Sequence, residues 1–272
     1  MSPLYSKTDR HESIIPDVTV SIVSHNSKDD LTVLMPTLIN CLKGLNAEVL
    51  IVDNRSEDGS VEFLKKFYPG VIVNVNNVRK GYGANHNINL RKARGQYIIF
   101  MNADIVLLDG TIVQLKNFMD HNPSIGICCP NVFNEDKSLQ FLNKRYPTIL
   151  DLFLRRFQFF FSKRFIQRRT RYYEMRDTGY DESTSIPFIS GCFMFCRTRF
   201  IQAVDGFDER FFLYFEDVDL CRRVQKTAGT VSCPEAKVIH RWERSSHKNI
   251  KWFLVFVKSA VLYFNKWGYV FK

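Results

Sequence analysis

The sequence Val18-Thr-Val-Ser-Ile-Val-Ser-His-Asn26 begins with a β-branched run and ends in polar side chains. Such a run predicts a strand that is buried on both faces, as in a parallel sheet. Ser27 is the predicted N-cap of a helix that follows this strand. We therefore expect a strand and then a helix, with Ser24, His25 and Asn26 at the carboxyl end of the strand.

Three more apolar runs repeat this pattern along the first half of the chain. They are Glu48–Asp53, Val71–Val75 and Gln96–Met101, and helices are predicted between them, one of them over Asn85–Arg94 with Gly95 closing it. Strands that alternate with helices predict an α/β fold, with a Rossmann-like, mostly parallel sheet flanked by helices. Ligands bind at the carboxyl ends of the strands in such sheets, and polar residues collect at those ends here.

The composition sets bounds on size, partners and compartment. The chain has 272 residues, of which 45% are hydrophobic, enough for one large domain with a substantial core. A net charge of +10 favours anionic partners such as nucleotides, nucleic acid or an acidic membrane. Seven cysteines without metal-type spacing suggest a reducing compartment. Met1–Asp17 is too polar for a signal peptide, and no apolar run approaches the roughly 20 residues of a membrane span. We therefore expect a cytoplasmic protein.

The segment Phe211–Val224 combines an aromatic run with three acids, Glu216, Asp217 and Asp219. Apolar residues recur at helical spacing after them, so the acids open a predicted helix. Carboxylates in a first turn often interact only with the helix dipole. A carboxylate beside a buried run can also be tuned as a base, and spacing does not separate Glu216 from Asp217 in that role.

Three segments contain candidate ligands for a nucleotide. Asp53 ends a strand and could accept a hydrogen bond from a base or a ribose, although a turn-forming role also fits. The glycines of Gly81–Asn85 would let backbone approach a nucleotide, but the loop lacks G-x-G-x-x-G spacing. Asp104 could hold a divalent metal that bridges two phosphates, and a capping role fits it equally well.

Together these segments resemble the inverting family-2 glycosyltransferases of the GT-A fold. The matching stretches are Val20–Asn26, Ile51–Ser60, Gly81–Asn85, Phe100–Asp104, Ser190–Met194 and Gly206–Cys221. The last stretch is most similar to bacterial rhamnosyltransferases of cell-surface polysaccharide and O-antigen synthesis. The resemblance implies a GT-A domain over residues 17–245, a basic aromatic insertion at 149–185 and a C-terminal amphipathic helix at 246–272.

The resemblance also implies roles for individual residues. Asp217 is the implied general base, with Glu216 as the alternative. The implied donor-binding residues are Ser24, His25, Asn26, Asp53, Arg79, Gly81, Asn85, Asn102, Ala103 and Asp104. Asp104 and His240 are the implied ligands of Mg²⁺ or Mn²⁺, with Asn102 in place of the first acid of the family's D-x-D motif. Gly191, Cys192 and Trp242 are implied to contact the acceptor.

The predicted reaction is the inverting transfer of a sugar to a hydroxyl of a cell-surface glycan precursor. The preferred prediction for the sugar is rhamnose, donated by dTDP-rhamnose. A glucosyl, galactosyl or N-acetylhexosaminyl transferase is the alternative. A nucleotidyltransferase would need a glycine-rich loop after the first strand, and His25–Asp30 has no glycine. A nucleic-acid-binding module is disfavoured because acids at one sheet edge would repel a polyanion, so no nucleic-acid partner is expected.

Two aromatic segments suggest where the protein works. Ile149–Arg176 contains the basic residues Arg155, Arg156, Lys163, Arg164, Arg168, Arg169, Arg171 and Arg176, and the C-terminal segment has a stripe of Trp252, Phe256, Ala260, Tyr263 and Trp267. Apolar faces beside basic residues bind anionic membrane surfaces, although packing against the sheet is the alternative. Because relatives in the family extend lipid-linked glycans, we expect a peripheral protein on the cytoplasmic face of the bacterial inner membrane, with a lipid-linked acceptor.

Overall fold

The structure, a computed structural model, describes residues 15–156, 161–241 and 250–271. Its strands are β1 Val18–Ser24, β2 Ala47–Asp53, β3 Ile72–Val75, β4 Tyr97–Asn102, β5 Ile105–Leu107, β6 Ile125–Phe133, β7 Leu139–Gln140, β8 Asn143–Lys144, β9 Phe188–Ile189, β10 Phe193–Arg197 and β11 Gly229–His240. Its helices are α1 Lys28–Cys41, α2 Ser60–Phe67, α3 Tyr82–Leu90, α4 Thr111–His121, α5 Ile149–Arg156, α6 Lys163–Tyr173, α7 Thr198–Ala203, α8 Glu216–Val224 and α9 Ile250–Trp267.

The predicted α/β fold with a mostly parallel sheet is confirmed. The main sheet has the strand order β3-β2-β1-β4-β10-β6-β11-β5, with β7 paired to β6. Strands β3, β2, β1, β4, β6 and β11 run in one direction, and β10, β5 and β7 run against them. Since β10 lies antiparallel between β4 and β6, its first residues meet the carboxyl end of β4.

The helix predicted over Asn85–Arg94 begins earlier and ends earlier, as α3. It begins after Gly81 because this glycine lies against the backbone of the aromatic run before α8. A Cβ on Gly81 would lie 2.6 Å from the carbonyl oxygen of Phe212, and Tyr82 N donates to that same oxygen at 2.9 Å. The close approach of protein backbone by itself therefore excludes a side chain at position 81.

The start of α1 is placed as predicted, but its capping group is different. Ser27 occupies the N-cap position and its side chain makes no capping hydrogen bond. The carboxylate of Asp58 accepts from Lys28 N at 2.8 Å instead. A carboxylate from the β2–α2 turn thus satisfies a free N–H of the first turn, which the local sequence did not indicate.

Hydrophobic clusters lie on the two faces of the sheet, and a third lies under the C-terminal helix. The third cluster packs Phe211, Phe215 and Val218 against Ala260 and Tyr263. Phe256 and Trp267 pack against the same cluster, so most of the apolar stripe predicted for this helix faces protein rather than membrane. A different stripe of α9 is exposed: Ile250, Phe253, Leu254, Val257 and Val261.

The predicted basic insertion forms the helical pair α5 and α6. Arg169 pairs with the buried Asp151 at 2.6 Å, and Arg176 pairs with Glu174. The basic side chains that remain exposed on α6 are Lys163, Arg164, Arg168 and Arg171. The side chains of Arg155 and Arg156 lie outside the described residues, as do Phe157 and Phe160. No helix in the described ranges combines the length and the apolar character that a membrane crossing needs.

Candidate active site

The ends of the parallel strands bring the predicted polar residues to one edge of the sheet. Ser24 of β1 pairs in register with Asp53 of β2, and Val23 pairs with Asn102 of β4. The backbone N–H of Asn102 donates to the carbonyl oxygen of Cys192 at 3.0 Å, which joins the start of β10 to this edge. The edge therefore runs without interruption from Asp53 to the residues before β10.

Asp53 is fully buried, and one of its two carboxylate oxygens has a hydrogen-bond partner among the described residues. Its Oδ1 accepts from Ser56 N at 2.9 Å, which is the turn-forming role. Its Oδ2 and the hydroxyl of Ser24 are buried, with no hydrogen-bond partner among the described residues. Buried polar atoms without partners are uncommon, and they mark this end of the edge as a place where a polar ligand would bind.

Residues around Asp53 are held by backbone contacts. His25 Nδ1 lies 3.0 Å from the carbonyl oxygen of Asn54. Asn26 adopts a positive φ of 51°, and its side-chain oxygen accepts from Glu57 N at 2.8 Å. These contacts fix the β1–α1 turn against the β2–α2 turn, so the two turns form one wall.

The glycine loop is tied to the same wall. Asn85 is buried and its oxygen accepts from Asn76 Nδ2 at 2.6 Å, whereas its own amide reaches the carbonyl oxygen of Lys80 at 3.3 Å. Lys80 N in turn donates to Asn54 Oδ1 at 2.9 Å. The hydrogen bonds of the Asn85 side chain are therefore made within the protein, whereas Arg79 and Lys80 are exposed.

Asp104 and His240 lie together at the centre of the edge, as the resemblance implied. Their atoms Oδ1 and Nε2 are 3.3 Å apart, and Ala103 beside them is buried. Gln140, which the sequence did not reveal, orients the imidazole: its amide nitrogen donates to His240 O at 2.9 Å, and its oxygen lies 3.1 Å from His240 Nδ1.

This orientation has a chemical consequence. Because the Gln140 oxygen faces Nδ1, we assign the imidazole proton to Nδ1, which points the Nε2 lone pair at Asp104 Oδ1. Two lone-pair-bearing atoms at this distance repel unless a proton or a cation lies between them. Among the described residues, no group of three or more His, Cys, Asp or Glu side chains could by itself hold a metal ion. The pair thus fits two ligands of a cation whose remaining ligands come from elsewhere.

Glu216 and Asp217 begin α8 with distinct environments. Glu216 is buried, and burial together with the charge of Asp217 raises the pKa of its carboxyl well above the ordinary value. Burial also raises the pKa of Asp217, but the backbone N–H groups of Gly191 and Val218 and the positive charge of Lys144 oppose this. The groups that favour the charged form act on Asp217, so the pKa of Glu216 is raised more strongly than the pKa of Asp217.

Asp217 is accessible and held in place. Its Oδ2 accepts from Gly191 N at 3.0 Å and its Oδ1 from Val218 N at 2.9 Å, and the side chain keeps part of its surface exposed. Each oxygen retains a second lone pair for a proton. Gly191 also accepts from the hydroxyl of Tyr82 at 2.6 Å, so α3, α8 and the residues before β10 meet at this point.

Cys192 lies between the two acidic centres. Burial, with Asp104 and Asp217 nearby, raises the pKa of its thiol to about 12, which excludes a thiolate nucleophile at neutral pH. The N–H of Gly191 donates to Asp217, and Cys192 follows it in the chain. Contact of Gly191 and Cys192 with the acceptor stays a prediction, and Trp242, the third predicted acceptor residue, lies outside the described residues.

The backbone before α8 is strained and is held by α9. Tyr214 and Phe215 both have positive φ values, 71° and 69°, which side-chain-bearing residues rarely adopt. Ser259 of α9 donates to the carbonyl oxygen of Leu213 at 2.8 Å. Clamped in this way, the strained turn aims Glu216 and Asp217 at the sheet edge.

Asp219, the third acid, faces away from the site. It is fully buried and bonded to Arg223 at 2.8 Å, to Lys266 at 2.7 Å and to the indole N–H of Trp267 at 2.8 Å. Its function is to join α8 to α9. The local sequence did not reveal its role in joining the two helices, because two of its three partners, Lys266 and Trp267, lie more than forty residues away.

Comparison with known proteins places this geometry in context. The sequence pattern described as Glycosyl transferase family 2 matches residues 19–203. Rhamnosyltransferase WbbL of Escherichia coli K12 is 27% identical over 249 residues, which cover 87% of this chain and 86% of the relative. The N-acetylglucosaminyl-diphospho-decaprenol L-rhamnosyltransferase of Mycobacterium tuberculosis is 27% identical over 214 residues, covering 74% and 68%.

A solved structure shares the fold. The mannosyltransferase PcManGT from Pyrobaculum calidifontis, in complex with GDP-Man and Mn²⁺, superposes with a TM-score of 0.59 at 16% identity. The match covers 93% of this chain and 64% of the mannosyltransferase, so the chain spans just under two thirds of that protein. The predicted GT-A architecture is thereby confirmed.

Proposed function

The chain belongs to glycosyl transferase family 2, and we propose that it transfers rhamnose from a nucleoside diphosphate donor to a hydroxyl of a lipid-linked glycan, with inversion. Family and transferase class agree with the predictions from sequence. The donor and acceptor are inferred from the two rhamnosyltransferases to which the chain is similar, one of them named for a diphospho-decaprenol acceptor. The observation that carries the mechanism is the position of Asp217 at the sheet edge, where its two oxygens accept from Gly191 N and Val218 N beside the buried Glu216.

Asp217 acts as the general base in this proposal. The acceptor hydroxyl passes its proton to Asp217 while its oxygen bonds to the anomeric carbon. The bond from that carbon to the phosphate oxygen breaks on the opposite face, and the nucleoside diphosphate leaves with the electron pair. One such displacement inverts the anomeric centre. The hydrogen bonds that the Asp217 carboxylate accepts from Gly191 N and Val218 N hold the carboxylate toward the acceptor.

Asp53 and Ser24 provide the proposed contacts to the nucleoside. Both present buried polar atoms, Asp53 Oδ2 and Ser24 Oγ, that have no hydrogen-bond partner in the described part of the chain. A carboxylate oxygen accepts well from a base N–H or a ribose hydroxyl. Arg79, exposed on the glycine loop, is placed to approach the phosphates.

Asp104 and His240 would hold a divalent cation in the proposed enzyme. Their facing lone pairs fit this role, and carboxylate with imidazole suits Mn²⁺ or Mg²⁺ completed by phosphate oxygens. When bound, the cation supplies positive charge that stabilises the departing diphosphate. Because the described residues offer two side chains as ligands, the ion is expected to bind mainly together with the donor.

A donor panel tests the proposed function. The purified chain should release nucleoside diphosphate from dTDP-rhamnose faster than from UDP-glucose, UDP-galactose or UDP-N-acetylglucosamine. The readout is released diphosphate, and Asp217→Asn protein corrects for contaminating hydrolases. A preference for another sugar would reassign the donor, and no release from any nucleotide sugar would refute the transferase assignment.

Attachment to an anionic membrane surface is the second part of the proposal. The exposed residues Ile250, Phe253, Leu254, Val257 and Val261 lie at intervals of three, four and seven positions, so they form one face of α9. Lys258 lies beside this face and is exposed, and α6 adds four exposed basic side chains. An apolar face flanked by cations is the pattern of a helix that lies in the headgroup region.

We expect the protein to float with liposomes that contain anionic lipid, and binding should weaken as salt rises, since each basic residue near the surface contributes about 1 kcal/mol. Changing Lys163, Arg164, Arg168 and Arg171 to Ser should reduce flotation, as should Leu254→Ser. Phe67→Ser, an exposed hydrophobic on α2, is the matched control. Equal flotation with neutral and anionic vesicles would contradict the membrane proposal and leave the transferase proposal intact.

A further inference from the structure

A cavity of about 420 Å³ lies between the sheet and the α5–α6 pair. Strands β7 and β8 form one wall, with Gln140 and Lys144, and α6 forms the opposite wall, with Ile166, Arg169 and Thr170. This volume falls within the range of small-molecule sites, about 300–1,000 Å³. The function described so far makes no use of this cavity.

Two lining residues connect the cavity to the reacting groups. Gln140 hydrogen-bonds His240, whose Nε2 faces Asp104. Lys144 exerts its positive charge on Asp217 and on Cys192. The cavity therefore adjoins the proposed metal-binding pair through Gln140, and its lining residue Lys144 is also part of the electrostatic surroundings of the proposed base.

The lining has the chemistry of a carbohydrate site. The aromatic side chains of Phe141 and Tyr173 provide apolar surface in the lining, and Thr170 adds a hydroxyl. The side chains of Asn134 and Gln140 also line the cavity and are hydrogen-bonded to each other, to Ser138 and to His240. Such a mixture of apolar walls and a few polar groups is typical of small-ligand pockets.

The charges in the cavity favour a neutral or anionic ligand over a cationic one. Of the two lining carboxylates, Asp151 is bonded by Arg169 at 2.6 Å and Glu174 is bonded by Arg176. Lys144 adds a positive charge, and its ammonium lies 5.4 Å from the centre of the Phe188 ring. A sugar that carries a phosphate group would meet this ammonium without facing an uncompensated carboxylate.

We propose that the acceptor is a glycosyl diphosphate and that this cavity binds its terminal sugar. Helices α5 and α6 form the wall of the cavity that determines specificity. The inference rests on the proposed transferase function and goes beyond it by locating the acceptor on the insertion. It also gives the insertion a function in substrate choice: residues of α6 that face the cavity select the acceptor sugar.

The test is Thr170→Trp, which fills the cavity, compared with Gln167→Trp, which adds the same bulk to the exposed side of α6. The probe is N-acetylglucosaminyl diphosphate on a short alkyl chain. Thr170→Trp should lower the acceptor kcat/KM, relative to the rate of acceptor-free donor hydrolysis, at least about tenfold, because pocket contacts of this kind discriminate by 10–200-fold. Gln167→Trp should match the unmodified protein.

Each outcome is informative. Thermal unfolding of both variants shows whether Thr170→Trp is folded, and Ile166→Trp replaces it if it is not. Donor hydrolysis without transfer to this probe, or equal transfer by Thr170→Trp and Gln167→Trp, would overturn the cavity proposal alone. Absence of donor hydrolysis in the unmodified protein would instead refute the proposed function.

Discussion

Replacing Asp217 by Asn is expected to lower kcat about 10²–10⁴-fold, the usual contribution of a general base, with little change in donor KM. The amide keeps the shape of the side chain but cannot take the acceptor proton. The fold should survive, because at most one of the two backbone hydrogen bonds to Asp217 is lost, which costs about 1 kcal/mol. Single-turnover kinetics with thermal unfolding as the companion measurement would check both points.

Glu216→Gln is the matched control for this prediction. Since Glu216 is buried and its pKa is raised well above the ordinary value, glutamine resembles its protonated form, and most of the turnover should remain. If Glu216→Gln abolished turnover and Asp217→Asn did not, the base would be Glu216. If neither variant slowed the reaction, the assignment of this segment to catalysis would be wrong.

The pH profile gives an independent check on the base. Asp217 must be deprotonated to act, and burial raises its pKa, so kcat should fall as the pH drops through a value above the ordinary aspartate range of about 3.9. Lys144 lowers the pKa of Asp217, so Lys144→Met should move this acidic limb to higher pH. An unchanged limb in Lys144→Met would contradict the electrostatic coupling between the two residues.

Removal of divalent cations is expected to abolish most of the activity, because Asp104 and His240 present facing lone pairs at 3.3 Å. Asp104→Asn should lower kcat by about 10²–10³, comparable to the loss of one group that stabilises transition-state charge. Gln140→Leu should weaken metal affinity by about 10–100-fold, because it frees the imidazole that Gln140 orients. Activity with and without chelator, followed by titration of Mn²⁺, measures these effects.

The controls for the metal prediction use exposed acids and the order of binding. Asp136→Asn, at an exposed turn remote in sequence from this pair, should leave the metal titration unchanged. Calorimetry should detect tight Mn²⁺ binding only when the nucleotide is present. Full activity in excess chelator would refute the metal requirement, and tight binding without nucleotide would refute the shared coordination by protein and donor.

The first half of the fold could be predicted from sequence because its signals are local. Continuous apolar runs gave β1, β2 and β4 to within a residue at each end, and parallel strands must align their carboxyl ends, which put Asp53 and Asp104 on one edge. Helix bounds were less accurate. The bounds of α3 depend on the packing of Gly81 against Phe212, a contact between segments more than a hundred residues apart.

The sequence by itself determined the family, the sheet and the acids that reach its edge, since strand periodicity and the order of short motifs are properties of neighbouring residues. Only the tertiary structure separated Asp217 from Asp219, because the difference lies in distant partners: Gly191 for one, Lys266 and Trp267 for the other. The tertiary structure also showed that α9 exposes a different face from the predicted one. The helix buries Ala260 and Tyr263 against the segment that carries the proposed base. Burial and long-range hydrogen bonds decide these roles, and neither is encoded in local spacing.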